Sequence, residues 1–139
     1  MKILFMCVAN SARSQLAEGI AKSIFSSTLE INSAGSQPTK VNPLATEVLK
    51  EAGIDISKQY SKTIDQLAPE FLADMNYVIT LCAEEVCPTV SSKAKKLHWP
   101  LPDPAGHNEL SKEEQLAMFR KTRDTIKEKL IAFKSEIEK

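Results

Sequence analysis

Cys7 ends an apolar run that begins at Met1, and Arg13 and Ser14 follow it six and seven residues later in the stretch CVANSARS. Those residue types at that spacing suit the capture and attack of a tetrahedral oxyanion. The backbone N–H groups of Val8, Ala9, Asn10, Ser11, Ala12, Arg13 and Ser14, curled around one point, would form an anion nest. A helix starting behind them adds positive potential. Arg13 can fork two oxygens at once, which a lysine does less well. The same field favours the thiolate of Cys7, its nucleophilic form, and Ser14 can donate a hydrogen bond to that sulfur. Asn10 tolerates the left-handed backbone that so tight a loop requires. The competing reading is a core cysteine closing a strand, with Arg13 on the surface.

What positions these residues is a strand before the loop and a helix after it. Met1 to Met6 reads as a buried strand. From Ser14, SQLAEGIAKSIF places Leu16, Ile20 and Ile24 at fourfold steps, the spacing of a helix. A loop beyond the carboxyl end of a strand, at a helix N-terminus, is where α/β folds bind ligands. LEINSAGS (29–36) reads as a second strand turning at Gly35. Asn42 as cap, Pro43 in the first helical position and Gly53 past the end punctuate a short helix. Residues 55–67 read mostly as loop, with a further short helix over 65–72. NYVITLC (76–82) is a β-branched strand ending on a second cysteine. Residues 92–106 are interrupted by prolines, with one short strand near Leu97 to Trp99. Ser111 and Glu114 form a capping box for a long final helix, on which Leu116, Phe119, Ile126, Leu130 and Phe133 share a face.

Strands alternating with helices predict a single α/β domain over 1–139. Its expected form is a four-stranded parallel sheet flanked by helices on both faces, with about five helices in all. Right-handed crossovers then bring the ends of the first strand and of the 76–82 strand to one edge. Cys7 and Cys82 would meet there although far apart in sequence.

Composition narrows the class. The 139 residues, 42% of them hydrophobic, suffice for one core. Lys and Arg total 18, as do Asp and Glu, so the basic excess usual in nucleic-acid proteins is missing. No apolar run is long enough to span a membrane, and MKILFM is too short for a signal peptide. The expectation is a cytoplasmic protein with neither nucleic-acid nor membrane partners. Three cysteines, Cys7, Cys82 and Cys87, cannot form a closed disulfide set. In a reducing compartment they are core, reactive or metal-bound. A zinc site is not expected, since His98 and His107 lack finger spacing.

CVANSARSQLAEG resembles the active-site loop of the low-molecular-weight tyrosine phosphatase fold, and more closely that of the thioredoxin-coupled arsenate reductases built on it. The likeness continues through NSAG (32–35), GIDIS (53–57), VITLC (78–82), CP (87–88) and HWPLPDPA (98–105). The resemblance implies that Cys7 is the nucleophile, that Arg13 and the loop N–H groups bind the oxyanion, and that Asp103 is the acid/base. It also implies that Cys82 and Cys87 carry the oxidation onward to thioredoxin, with no metal or organic cofactor. Gln15 after the Arg–Ser pair, and PAG after Asp103 where phosphatases of this fold carry tyrosines, favour a small inorganic substrate such as arsenate or phosphate.

Two departures from the family pattern stand out. Four residues separate Cys82 from Cys87, fewer than in the best-known branch. In a continuous helix that step would advance about 7.5 Å and turn about 140°, so a bridge between them requires a loop or a marginal turn. Asn10, Glu18 and Ser33 match a potassium site of some relatives, but Lys62 stands where those carry an aspartate. Three readings remain open. One is arsenate reductase; another is a phosphatase of phosphotyrosine or small phosphoesters, in which Cys82 and Cys87 only protect Cys7. The third is a phosphate-binding or phosphocarrier module.

Overall fold

A computed structural model describes residues 1–83 and 92–137. In chain order the elements are β1 (Lys2–Cys7), α1 (Arg13–Ile24), β2 (Glu30–Gly35), α2 (Pro43–Glu51), a 3-10 turn (Ile64–Gln66), α3 (Pro69–Ala73), β3 (Tyr77–Thr80), β4 (Lys95–His98) and α4 (Lys112–Ile137). All strand pairings are parallel, in the order β2-β1-β3-β4.

β1 lies between β2 and β3 and is buried on both faces, which explains why it reads as an unbroken apolar run. Its side chains alternate between two cores. Ile3 and Phe5 join Leu16 and Ile20 of α1, Val48 and Leu49 of α2, and the stripe Leu116, Phe119, Ile126, Leu130 and Phe133 of α4. Leu4 and Met6 face the other way, onto Val78, Leu67, Phe71 and Met75. The sheet is thus covered on both faces, with three helices on one and α3 with the 3-10 turn on the other.

The capping expectations hold. Asn42 Oδ1 accepts from the Leu44 N–H at 2.9 Å, ahead of Pro43. After α2, Gly53 N–H bonds to Lys50 O and Ile54 N–H to Leu49 O, the paired bonds of a Schellman ending. Ser111 and Glu114 exchange side chain-to-backbone bonds at 3.2 Å in both directions.

Four α-helices and a 3-10 turn stand among the described residues, where about five helices were expected. The helix expected over 65–72 is two pieces. Ala68 precedes a proline and is extended (ψ 135), so the chain breaks there and restarts at Pro69. The fourth strand starts two residues earlier than expected and ends one earlier, because its register is set by pairing with Tyr77–Thr80. Trp99 packs on the core, while His98 is an exposed rim residue. His98 Nδ1 meets Thr80 Oγ1 at 2.7 Å, and the Trp99 ring stands edge-on to Phe133. No described helix is long and apolar enough to cross a membrane. The 84–91 stretch, with Cys87 and the expectation about its spacing from Cys82, lies outside the described residues.

Candidate active site

The strand order reverses between β1 and β3, since β2 follows β1 on one side and β3 returns on the other. Such a switch point opens a crevice beyond the carboxyl ends of the two strands. Cys7 is the last residue of β1. On the neighbouring strand Thr80 pairs with Met6, and the Leu81 N–H bonds to Met6 O at 3.0 Å. Cys82 therefore emerges at the same edge as Cys7. Both are buried, at 2% and 1% exposure, and Cys7 is a free thiol.

The loop from Cys7 to Ser14 is shaped from outside. Gln37 N–H bonds to Val8 O, Thr39 N–H to Ala9 O, Asn42 N–H to Ser11 O and Leu16 N–H to Ala12 O, at 2.8–3.1 Å. Asn10 O accepts from Gln15 Nε2 at 3.0 Å and from Ser61 Oγ at 2.6 Å. In a planar trans peptide, C=O and the following N–H point opposite ways. Carbonyls held outward on every side therefore turn the N–H groups of Ala9 to Arg13 towards the interior, the arrangement of an anion nest. Asn10 has φ 47, the left-handed backbone expected of it.

Asn10 also directs protons. Its Oδ1 accepts from the Lys62 N–H at 3.0 Å, which leaves the amide nitrogen to donate to Ser14 Oγ at 2.7 Å and Ser33 Oγ at 3.0 Å. Ser33 passes its own proton to Glu18 Oε1 at 2.5 Å. Ser14 Oγ, which accepts from Asn10, lies 2.9 Å from Cys7 Sγ and can donate its own proton to that sulfur.

Arg13 opens α1 and is 4% exposed, not a surface residue. Its Nη1 donates to Leu101 O at 2.9 Å and, more weakly, to Leu81 O at 3.4 Å. Nη2 stands 3.8 Å from Asp103 Oδ2. Asp103 uses its other oxygen, Oδ1, to accept from the Ala105 N–H at 2.9 Å. It therefore caps a turn, as Asp before Pro often does, and also faces the guanidinium. Arg13, Asp103, Ala83 and Pro102 share a hollow of about 280 Å³.

Glu18, Asn10, Ser33 and Lys62 do come together. Lys62 is 3% exposed, with Nζ 3.7 Å from Glu18 Oε1, 3.1 Å from Tyr60 O and 4.6 Å from the Tyr60 ring centre. Burial pushes the Lys62 ammonium's pKa below its ordinary value, and the Glu18 carboxylate pulls it back up. Glu18 is held from the other side by Lys22 at 2.6 Å.

Sequence reasoning missed several supports of the loop. Leu81 and Leu101 hold Arg13 through carbonyls, which no side-chain identity announces. Gln15 and Gln59 brace the loop from behind: Gln59 Nε2 donates to Gln15 Oε1 at 2.8 Å. From sequence, Gly35 signals only a turn. A Cβ there would collide with Val8 O and lie 2.8 Å from Cys7 O and 2.9 Å from Asn10 N, all backbone atoms. Gly35→Ala is therefore expected to cost about 2–3 kcal/mol of stability, read by urea unfolding. Parental stability in that variant would show that β2 does not press on the loop as described.

A cysteine, an arginine and outward-held carbonyls around a strand-to-helix loop are an arrangement that can hold an oxyanion beside a thiol. The family of low molecular weight phosphotyrosine protein phosphatases matches residues 2–139, and the chain belongs to it. Within that family, the arsenate reductase of Halalkalibacterium halodurans is 44% identical over 133 residues, covering 94% of this chain and 93% of that protein. Among solved structures, an arsenate reductase in the phosphate-binding state matches with a TM-score of 0.78 at 32% identity, over 98% of each chain. The thioredoxin-dependent arsenate reductase of Corynebacterium glutamicum gives 0.73 at 29% identity, over 99% of this chain and 61% of that one.

Proposed function

We propose that this protein reduces arsenate to arsenite through a relay of three thiols that thioredoxin regenerates. The observation that carries the reading is Cys82, just past the end of the strand beside Cys7, at the mouth of the loop. A phosphatase needs no second thiol at that place. The arsenate reductases among its relatives support the same reading.

Arsenate binds to the inward N–H groups and Arg13. The Cys7 thiolate, held by Ser14, attacks arsenic, and Asp103 gives a proton to the departing hydroxide. The Cys82 thiolate then attacks the Cys7 sulfur. The S–As bond breaks, its electron pair stays on arsenic, and As(V) leaves as arsenite. Cys87 next attacks Cys82, which releases the Cys7 thiolate and leaves a Cys82–Cys87 disulfide. Reduced thioredoxin returns that pair to thiols. No metal or organic cofactor takes part in this sequence.

The deciding experiment is arsenate-dependent NADPH oxidation with thioredoxin and thioredoxin reductase, run beside hydrolysis of p-nitrophenyl phosphate. Turnover in the first assay is expected. Phosphoester hydrolysis alone would return the protein to the phosphatases, and neither activity would favour a binding module.

The Lys62 ammonium is proposed to serve as a built-in cation for the Glu18, Asn10 and Ser33 cluster. Potassium should then change neither the thermal midpoint nor the KM for arsenate relative to matched sodium. A gain specific to potassium would refute this. Lys62→Met should cost about 2 kcal/mol, less than a wholly orphaned buried charge, because Lys22 remains on Glu18.

A further inference from the structure

His107 has no part in the chemistry above, yet its ring lines the same hollow as Arg13 and Asp103. Its Nε2 lies 3.2 Å from the Asp103 main-chain oxygen. A carbonyl can only accept, so Nε2 carries the proton in that bond. Nδ1 faces Glu109 Oε1 at 3.7 Å. Gly106, between them, has φ 82 in open space, so its role there is the backbone angle that brings the ring back over Asp103. The far side of the turn is tied down as well. Leu110 N–H bonds to His107 O at 3.0 Å, and Gln115 of α4 holds Leu110 O.

Asp103 depends on such ties. Its side chain is 48% exposed, so packing does not fix its direction. Polar ties do so: Ala105 N–H on Oδ1 and Arg13 Nη2 facing Oδ2 hold the carboxyl, and His107 holds the backbone that carries it. We propose that His107 is a positioning residue for Asp103, its Nε2–H bond fixing the turn from which the carboxyl faces Arg13 and the bound oxyanion. The inference rests on the proposed function only for the proton step assigned to Asp103.

The test is a double-mutant cycle in the coupled arsenate assay, with an activity-free measurement beside it. His107→Ala should lower kcat about fivefold, the worth of one hydrogen bond, and leave KM near the parental value, because Asp103 moves a proton and does not bind the anion. His107→Gln, whose amide can still donate, should recover most of the rate. In an Asp103→Asn background, His107→Ala should cost nothing more. Additive losses, a change confined to KM, or no recovery by glutamine would overturn the proposal. The three-bond couplings of the Asp103 β-protons, read by NMR on the full chain, report its rotamer directly. They should show one rotamer in the parent and in His107→Gln, and averaging in His107→Ala. If the protein reduces no arsenate, the proposed function fails, and these couplings still decide the role of His107. Unchanged couplings in His107→Ala would overturn it.

Discussion

Cys7→Ser will abolish arsenate reduction and any phosphoester hydrolysis together, each falling at least about a thousandfold. Both reactions begin with the same sulfur, and a serine hydroxyl in its place, beside Ser14 Oγ among the described residues, ionises far less readily than a thiol. Asn10 donates to Ser14 Oγ, and that hydroxyl, 2.9 Å from the sulfur, can donate to a thiolate at position 7. That direction suits a preformed anion and does nothing to remove a proton from an alcohol. Serine is close in size to cysteine and should keep the fold, so unfolding in urea should be near parental. Oxyanion binding should survive in the variant, since Arg13 and the loop amides are untouched. Appreciable turnover would place the nucleophile elsewhere.

Cys82→Ser and Cys87→Ser should both stop repeated turnover, at different points. Without Cys82 the arsenic adduct on Cys7 has no attacking thiol, and no arsenite appears. Without Cys87 a single equivalent of arsenite is expected per enzyme, after which the protein stalls as a Cys7–Cys82 disulfide that peptide mapping would identify. Phosphoester hydrolysis, if the parent shows it, should be spared in both variants. Parental rates of arsenate reduction in either would refute the relay. Rapid quench with one equivalent of arsenate separates the two cases.

The fold was legible because its signals are local. Alternating faces of β1, fourfold spacing on α1, the Asn42–Pro43 start of α2 and the Ser111–Glu114 box each depend on residues within a turn or two of one another. Cys7, Arg13, Ser14 and Asn10 were legible as a site for the same reason, lying within eight consecutive residues. Asp103 was reached through resemblance, and only the fold brings it to within 3.8 Å of Arg13. Most of what stayed hidden is carried by main-chain atoms meeting across the fold. The carbonyls of Leu81 and Leu101 on Arg13, the press of Gly35 on Val8 and the hold of His107 on Asp103 belong to this class. Any residue can offer a carbonyl, so composition carries no trace of these contacts. The exact span of β4 was hidden similarly, because its partner strand sets it.

The loop carbonyls are all fastened from outside, so the cradle has its shape before any anion enters. A receptor of that kind measures geometry and charge, and phosphate and arsenate are both tetrahedral oxyanions. On the proposed function, discrimination must therefore come after docking. Phosphorus(V) does not accept the electron pair that arsenic(V) takes from the sulfur, so phosphate can only occupy the seat and leave. Selectivity in this protein would be a property of the second thiol's attack, and abundant cellular phosphate would act as a rival for entry rather than as an alternative substrate.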